Sequence, residues 1–177
     1  MKIRKTMLAA ALAAAVFMPI GNVSEAAAGD NAGQNVENVQ MTNPWTDYQT
    51  KKEAEKASGI RLKAPNKYIF YKLRDDVRAM TEKAGMLEIV YTSTQGKNDY
   101  ADTMTIRKAK GKGDISGDYG QYEFTRELNV GKRQVTVKGN GEYMHLATWQ
   151  EGEYAYSVQI DGGLTQAELV KLIKKIR

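Results

Sequence analysis

Residues 133–160 read RQVTVKGNGEYMHLATWQEGEYAYSVQI, and they decide the fold. Tyr154, Tyr156, Val158 and Ile160 alternate with Ala155, Ser157 and Gln159, the period-two pattern of a strand with one buried face. Asn140-Gly141 is a two-residue hairpin signal. Glu151-Gly152 marks a second turn. Connections this short force neighbouring strands to run antiparallel. The stretch therefore predicts three adjacent strands, over 133–139, 144–150 and 153–160.

Upstream the same composition continues. KYIFYKL (67–73), MLEIVYT (86–92), 103–110 and 121–129 are rich in aromatic and branched residues, and Val130-Gly131 is another turn signal. The segment Asp75–Gly85 stays open between a helical turn and a longer hairpin reaching through Val77 and Met80. Helices flank this block. Thr50 and Glu53 have capping-box spacing, and Gly59 offers a left-handed stop, which predicts a helix over 51–58. Thr165 and Glu168 form a second box, with Leu164 and Leu169 at staple positions. Leu169, Leu172, Ile173 and Ile176 make one apolar stripe, with Lys171, Lys174, Lys175 and Arg177 off it near the negative end of the helix dipole. The stripe needs a cover, and the buried sheet face supplies it. The expected fold is α+β: an antiparallel meander of six or seven strands, with an N-terminal and a C-terminal helix packed on one face.

The start of the chain reads as an export signal. Lys2, Arg4 and Lys5 precede the apolar run Met7–Ile20, which is shorter than the roughly 20 residues of a membrane span. Pro19 and Gly21 break it, and Ala26-Ala27-Ala28 offers small residues for cleavage before Gly29; a cut after Ala26 competes. The expected organisation is a signal peptide over 1–28, a polar flexible linker over 29–42, and one domain over 43–177, with Trp45 plugging an end of its core. The mature product is then secreted or periplasmic, with no stable membrane insertion after cleavage.

The whole chain has 26 Lys and Arg against 21 Asp and Glu. Cleavage removes three basic residues and one acid, leaving 23 and 20, a net charge of +3. That mild excess argues against a nucleic-acid binder, whose basic face is dense. With no cysteine there are no disulfides, no thiol catalysis and no lipid attachment through a thiol.

Few residues invite chemistry. His145, the single histidine, lies in an expected strand, where a satisfied or surface role outweighs catalysis. No Gly-x-Ser-x-Gly elbow occurs. With one histidine and no cysteine, a zinc site would need mostly carboxylates, which is unusual. The loop Gly111–Asp118 has neither dinucleotide nor phosphate-loop spacing. Asp114, Ser116 and Asp118 match alternate calcium-ligand positions, but Tyr119 stands where glycine is required and Thr125 where the bidentate glutamate belongs. A wide turn is the favoured reading, and whether the loop takes a cation stays open. Arg107, Lys108, Lys110 and Lys112 form a short basic run. Alternate strand residues face opposite sides, so the four make no single patch. With the basic last helix they suit an anionic surface such as wall polymers or lipid head groups, against the plainer reading of a charged edge that discourages strand pairing. Ten tyrosines, most in or beside strands, suit sugar or peptide stacking or the half-buried surface of a sheet.

Asn43-Pro44-Trp45-Thr46, the Ala54–Ala57 helix with Gly59, Ile106–Ala109, Asp114–Tyr119, Val135–Gly139, Ala147-Thr148-Trp149, Tyr154–Ser157, and Gly163-Leu164-Thr165 before a helix form a set of local motifs. Together they resemble a bacterial family of exported domains, domain of unknown function 4367. The resemblance spans 43–177, departs in a longer Asp75–Gly85 connection, and implies a secreted domain or an extracytoplasmic part of a membrane protein. It carries over no catalytic residue.

The leading expectation is an exported, non-enzymatic domain that binds an envelope protein or ligand, without cofactor or metal. Arg107, Lys108, Asp114, Ser116, Asp118, Tyr119 and Trp149 are the candidate ligand contacts. A carrier of an apolar molecule between sheet and last helix is one alternative. An envelope hydrolase using carboxylates such as Asp114 and Asp118 is the other.

Overall fold

The computed structural model describes residues 43–81, 85–95 and 102–177. The expected signal peptide and linker lie outside the described residues. Among those described, nine strands and two helices form in the order β1 (Thr46–Tyr48), α1 (Lys51–Ser58), β2 (Lys67–Tyr68), β3 (Tyr71–Met80), β4 (Met86–Ser93), β5 (Thr103–Lys110), β6 (Phe124–Val130), β7 (Arg133–Asn140), β8 (Tyr143–Glu151), β9 (Tyr154–Thr165) and α2 (Gln166–Ile173). The fold is α+β, with one antiparallel sheet carrying nearly all of it.

The sheet is not the simple meander of six or seven strands. Its order is β1-β3-β4-β5-β9-β8-β7-β6, with β2 pairing β3. Two meanders meet where β5 pairs β9, so β5 is interior and not the charged edge the basic run suggested. After β5 the chain crosses four strand intervals, about 19 Å at sheet spacing, to begin β6 at the far edge. Alternation along 154–160 predicts one covered face, yet Ala155 and Ser157 are as buried as Tyr156 and Val158, so β9 is covered on both faces.

Local signals account for most of the rest. The hairpins β6–β7, β7–β8 and β8–β9 close through two-residue turns that begin at Gly131, Gly141 and Gly152, with φ of 66°, 54° and 61°. The turn near Asn140 is thus Gly141-Glu142, and Asn140 stays in β7. The expected strand 67–73 breaks at Ile69-Phe70, because Tyr68 pairs Tyr71 across another two-residue turn. Ile69 sits there at φ 53°, the only non-glycine residue at positive φ among those described. The open segment after Asp75 resolves as a hairpin, β3 pairing β4 through Met80 and Met86, with an irregularity between Leu73 and Val77.

Both capping boxes form, with Thr50 Oγ1 accepting from the Glu53 amide at 3.2 Å and Thr165 Oγ1 from the Glu168 amide at 3.4 Å. Helix placement differs from expectation. Strand β1 precedes α1, which packs on β3 and β4, while α2 packs on β8 and β9. Leu169, Leu172, Ile173 and Ile176 are fully buried, in one cluster with Ile89, Ile106, Val137 and Val158 of the sheet and Ala54 of α1. No helix among the described residues is long and apolar enough to cross a membrane.

Candidate functional site

Antiparallel order puts the β6–β7 turn, the β8–β9 turn and the end of β5 at one end of the sheet. The chain after α2 reaches the same end. Together they line a cleft of about 760 Å³, with Lys108, Lys132, Arg133, Glu151, Glu153, Tyr154, Tyr156, Lys174 and Arg177 in its walls. Five of these side chains are cationic and two anionic. Arg133 is committed to structure: its guanidinium donates to the Ile173 and Ile176 carbonyls at 2.6 and 3.0 Å and pairs with Glu151 at 2.8 Å. It thereby ties the start of β7 to the chain at and beyond the end of α2. Lys132, Lys174 and Arg177 are exposed and pair with no carboxylate among the described residues.

Lys108 is the unusual member. Cross-strand partners point to the same side, so Leu87, Lys108, Tyr156, Trp149 and Val135 form one ladder across the core face. A lysine thus stands in an apolar row, 8% exposed. Its Nζ donates to the Arg61 carbonyl at 2.7 Å and lies 4.4 Å from the centre of the Tyr154 ring and 5.2 Å from that of Tyr156. An ammonium has three donors; one meets a carbonyl, and ring faces stabilise the charge through their quadrupoles. Burial pushes the Lys108 pKa down, opposed by the carboxylates of Glu151 and Glu55. Burial likewise raises the Tyr156 hydroxyl, helped by Glu151 and opposed by Arg133. The cleft therefore has at its floor a buried cation with one hydrogen-bond acceptor among the described residues, and exposed cations at its rim. An anion entering it is drawn by both.

Trp149 stands behind this site. It is 4% exposed and stacks on Tyr156 at 5.0 Å with rings 4° apart, and its Nε1 has no hydrogen-bond partner among the described residues. It supports the tyrosine wall and offers no open stacking face.

The other sequence candidates lie on the opposite face, where Arg78, Glu88, Arg107, Ser157, Thr148, Thr136 and Glu127 form the alternate ladder. Glu88 is fully buried there between two arginines, receiving Arg78 Nε at 2.8 Å and Arg107 Nε at 2.6 Å. Trp45 lies against both guanidinium groups, at 5.2 and 5.5 Å. Arg107 also donates to the carbonyls of Ile115 and Ser116, which ties the crossing segment to the sheet. Asp114 accepts from the Ser116 amide at 2.8 Å, and Ser116 Oγ from the Asp118 amide at 3.2 Å. Asp118 accepts from the Gly120 amide and the Tyr122 hydroxyl, each at 2.6 Å. These side chains close local turns. Tyr119 projects from the segment at 94% exposure. Among the described residues no cluster of three or more acidic or histidine side chains is placed to hold a metal ion. His145 Nδ1 lies 3.1 Å from both the Ile160 and Asp161 carbonyls, so it carries its hydrogen toward acceptors that fix the ring.

Of the seven candidates, then, only Lys108 lines the cleft, with Trp149 behind it. Lys132, Arg133, Tyr154, Tyr156, Lys174 and Arg177 were missed as a group. Their shared position, two alternate hairpin turns plus the end of the last helix, was the available signal. No family model matches the chain, and neither a curated protein nor a solved structure does.

Proposed function

We propose that the protein is an exported, non-enzymatic domain that binds an anionic ligand outside the cytoplasmic membrane, in the cleft floored by Lys108. One observation carries this reading: a buried ammonium with a single hydrogen-bond acceptor among the described residues, at a cleft whose rim holds three cations that pair with no carboxylate among those residues. A buried charge costs stability unless it is paired, and retaining one at a cleft suits a ligand that completes the pairing. The basic start, the apolar run and the small residues before Gly29 support export. The carrier alternative needs space between sheet and α2, a region where the stripe residues of α2 are fully buried. The hydrolase alternative needs free carboxylates, and those of Asp114 and Asp118 accept hydrogen bonds within their own turns.

Native mass spectrometry of the protein purified from its own host tests the reading. An anionic mass that co-purifies with the wild type and is lost from a Lys132→Glu/Lys174→Glu variant supports it. No bound mass, no partner in a pulldown from envelope extract, and clear hydrolase activity in a broad screen would together overturn it.

A further inference from the structure

We infer that the anion taken by the Lys108 cleft is a phosphoryl group, carried on a molecule with an additional negative charge. This rests on the anion-binding reading above and narrows it. The cation chemistry argues the class. The two-pronged guanidinium fork grips carboxylate and phosphate alike, whereas an ammonium binds phosphate as a point charge. The one arginine held rigidly in the wall, Arg133, already spends its fork on the Ile173 and Ile176 carbonyls and on Glu151. What remains is mostly ammonium: Lys108 at the floor, Lys132 on the β6–β7 turn and Lys174 after α2, with Arg177 beside it. Ammonium groups act as point charges, and several of them can reach the separate oxygens of one tetrahedral phosphate.

Charge points the same way. With Glu151 and Glu153 included, the lining carries a net of +3, which one carboxylate leaves largely unbalanced. A phosphate monoester brings about −1.5 to −2 at neutral pH, and a second phosphoryl group balances the rest. Depth sorts the contacts. Lys108 is the buried contact, its Nζ against the Tyr154 and Tyr156 rings, and in the proposed complex it meets one phosphoryl oxygen. Lys132, Lys174 and Arg177, all exposed, receive the outer charge. Exposed Glu153 stands at the rim and repels a ligand that lacks that outer contact.

Isothermal titration of the full domain with tripolyphosphate tests this, with poly-L-glutamate as the carboxylate probe and vesicles of phosphatidylglycerol or phosphatidylcholine as the lipid arm. Tripolyphosphate should bind the wild type. Lys108→Met should weaken it about tenfold or more, the loss expected for one charged hydrogen bond. Lys132→Gln and Lys174→Gln, both at exposed positions, should weaken it severalfold and keep the test valid if Lys108→Met fails to fold. Lys56→Gln on α1, an equal charge change away from the cleft, should leave binding unchanged. Binding to phosphatidylglycerol vesicles alone, with the same variant pattern, supports the phosphoryl assignment and identifies a lipid head group as its source. Poly-L-glutamate binding with that pattern, without either phosphate probe, overturns the phosphoryl assignment and leaves the anion reading standing. No binding of any probe, or equal loss in Lys56→Gln, overturns both.

Discussion

Replacing Glu88 with glutamine tests the account of the second sheet face. The carboxylate is fully buried, and its two oxygens divide between Arg78 and Arg107. Glutamine keeps the shape and removes the charge, which leaves two guanidinium groups facing an amide. Breaking a buried ion pair from one side costs about 3–5 kcal/mol. The value here belongs at the low end. The Arg78 side chain is 38% exposed and can rehydrate, whereas Arg107, 17% exposed and anchored to two carbonyls, cannot swing away. A loss of about 3 kcal/mol corresponds to a drop in Tm of about 10 °C for a domain of this size. Urea denaturation followed by circular dichroism measures it, with the Trp45 and Trp149 fluorescence as a second probe. The double variant Glu88→Leu/Arg107→Met should recover much of the loss, because an apolar pair removes the unpaired charge as well as the partner. A Glu88→Gln cost below about 1 kcal/mol at unchanged denaturant slope would refute the reasoning, since it would mean that the three groups are held apart by water.

Three further outcomes are expected. Ile69→Gly should stabilise the domain by about 0.5–1 kcal/mol in chemical denaturation, because it relieves a branched residue at φ 53° in a turn whose counterparts are Gly131, Gly141 and Gly152; a destabilised variant would show that Ile69 is held by contacts stronger than the strain. Gly139→Ala should cost about 2 kcal/mol or more by the same measurement, since an added Cβ falls 2.1 Å from the Tyr143 carbonyl oxygen, which is backbone and cannot yield. Stability should fall as pH rises from 10 toward 12. The hydroxyls of Tyr71 and Tyr122 are pushed up to about 12, first by burial and then by the carboxylates beside them, so the unfolded chain releases protons the folded one retains. Urea midpoints that stay level from pH 9 to 11 would contradict this.

Much of the local structure was legible because its signals are short. Each capping box needs four residues, each of the hairpin turns β6–β7, β7–β8 and β8–β9 has one glycine at positive φ, and the apolar stripe from Leu169 repeats within two turns. The missed features depend on distant partners. Nothing local in 103–110 says that β5 will pair β9 and not β6. The period-two pattern of 154–160 hides the second covered face, because Ala155 and Ser157 are small enough to read as solvent-facing. Strand β1 is too short to show a period, and its place comes from pairing with Val77, Arg78 and Ala79. For the site, the rule that alternate strand residues face apart was sound and separated Arg107 from Lys108. What the alternation does not contain is that Lys108 points into the core, next to Tyr154 and Tyr156. That follows from the β5–β9 register, which pairs Lys108 with Tyr156.

The β5–β9 pairing also sets the order in which the chain can finish folding. The strand nearest the end of the sheet block occupies the middle of the sheet, so β5 and β8 are both open flanks until β9 slots between them. Sheets dominated by pairings this distant close slowly, on a scale of milliseconds to seconds. During that interval the flank of β5 can recruit another chain, and its residues Arg107, Lys108 and Lys110 are the kind of charge that keeps a bare strand from doing so. The basic run thus guards an edge that exists only before the protein is complete.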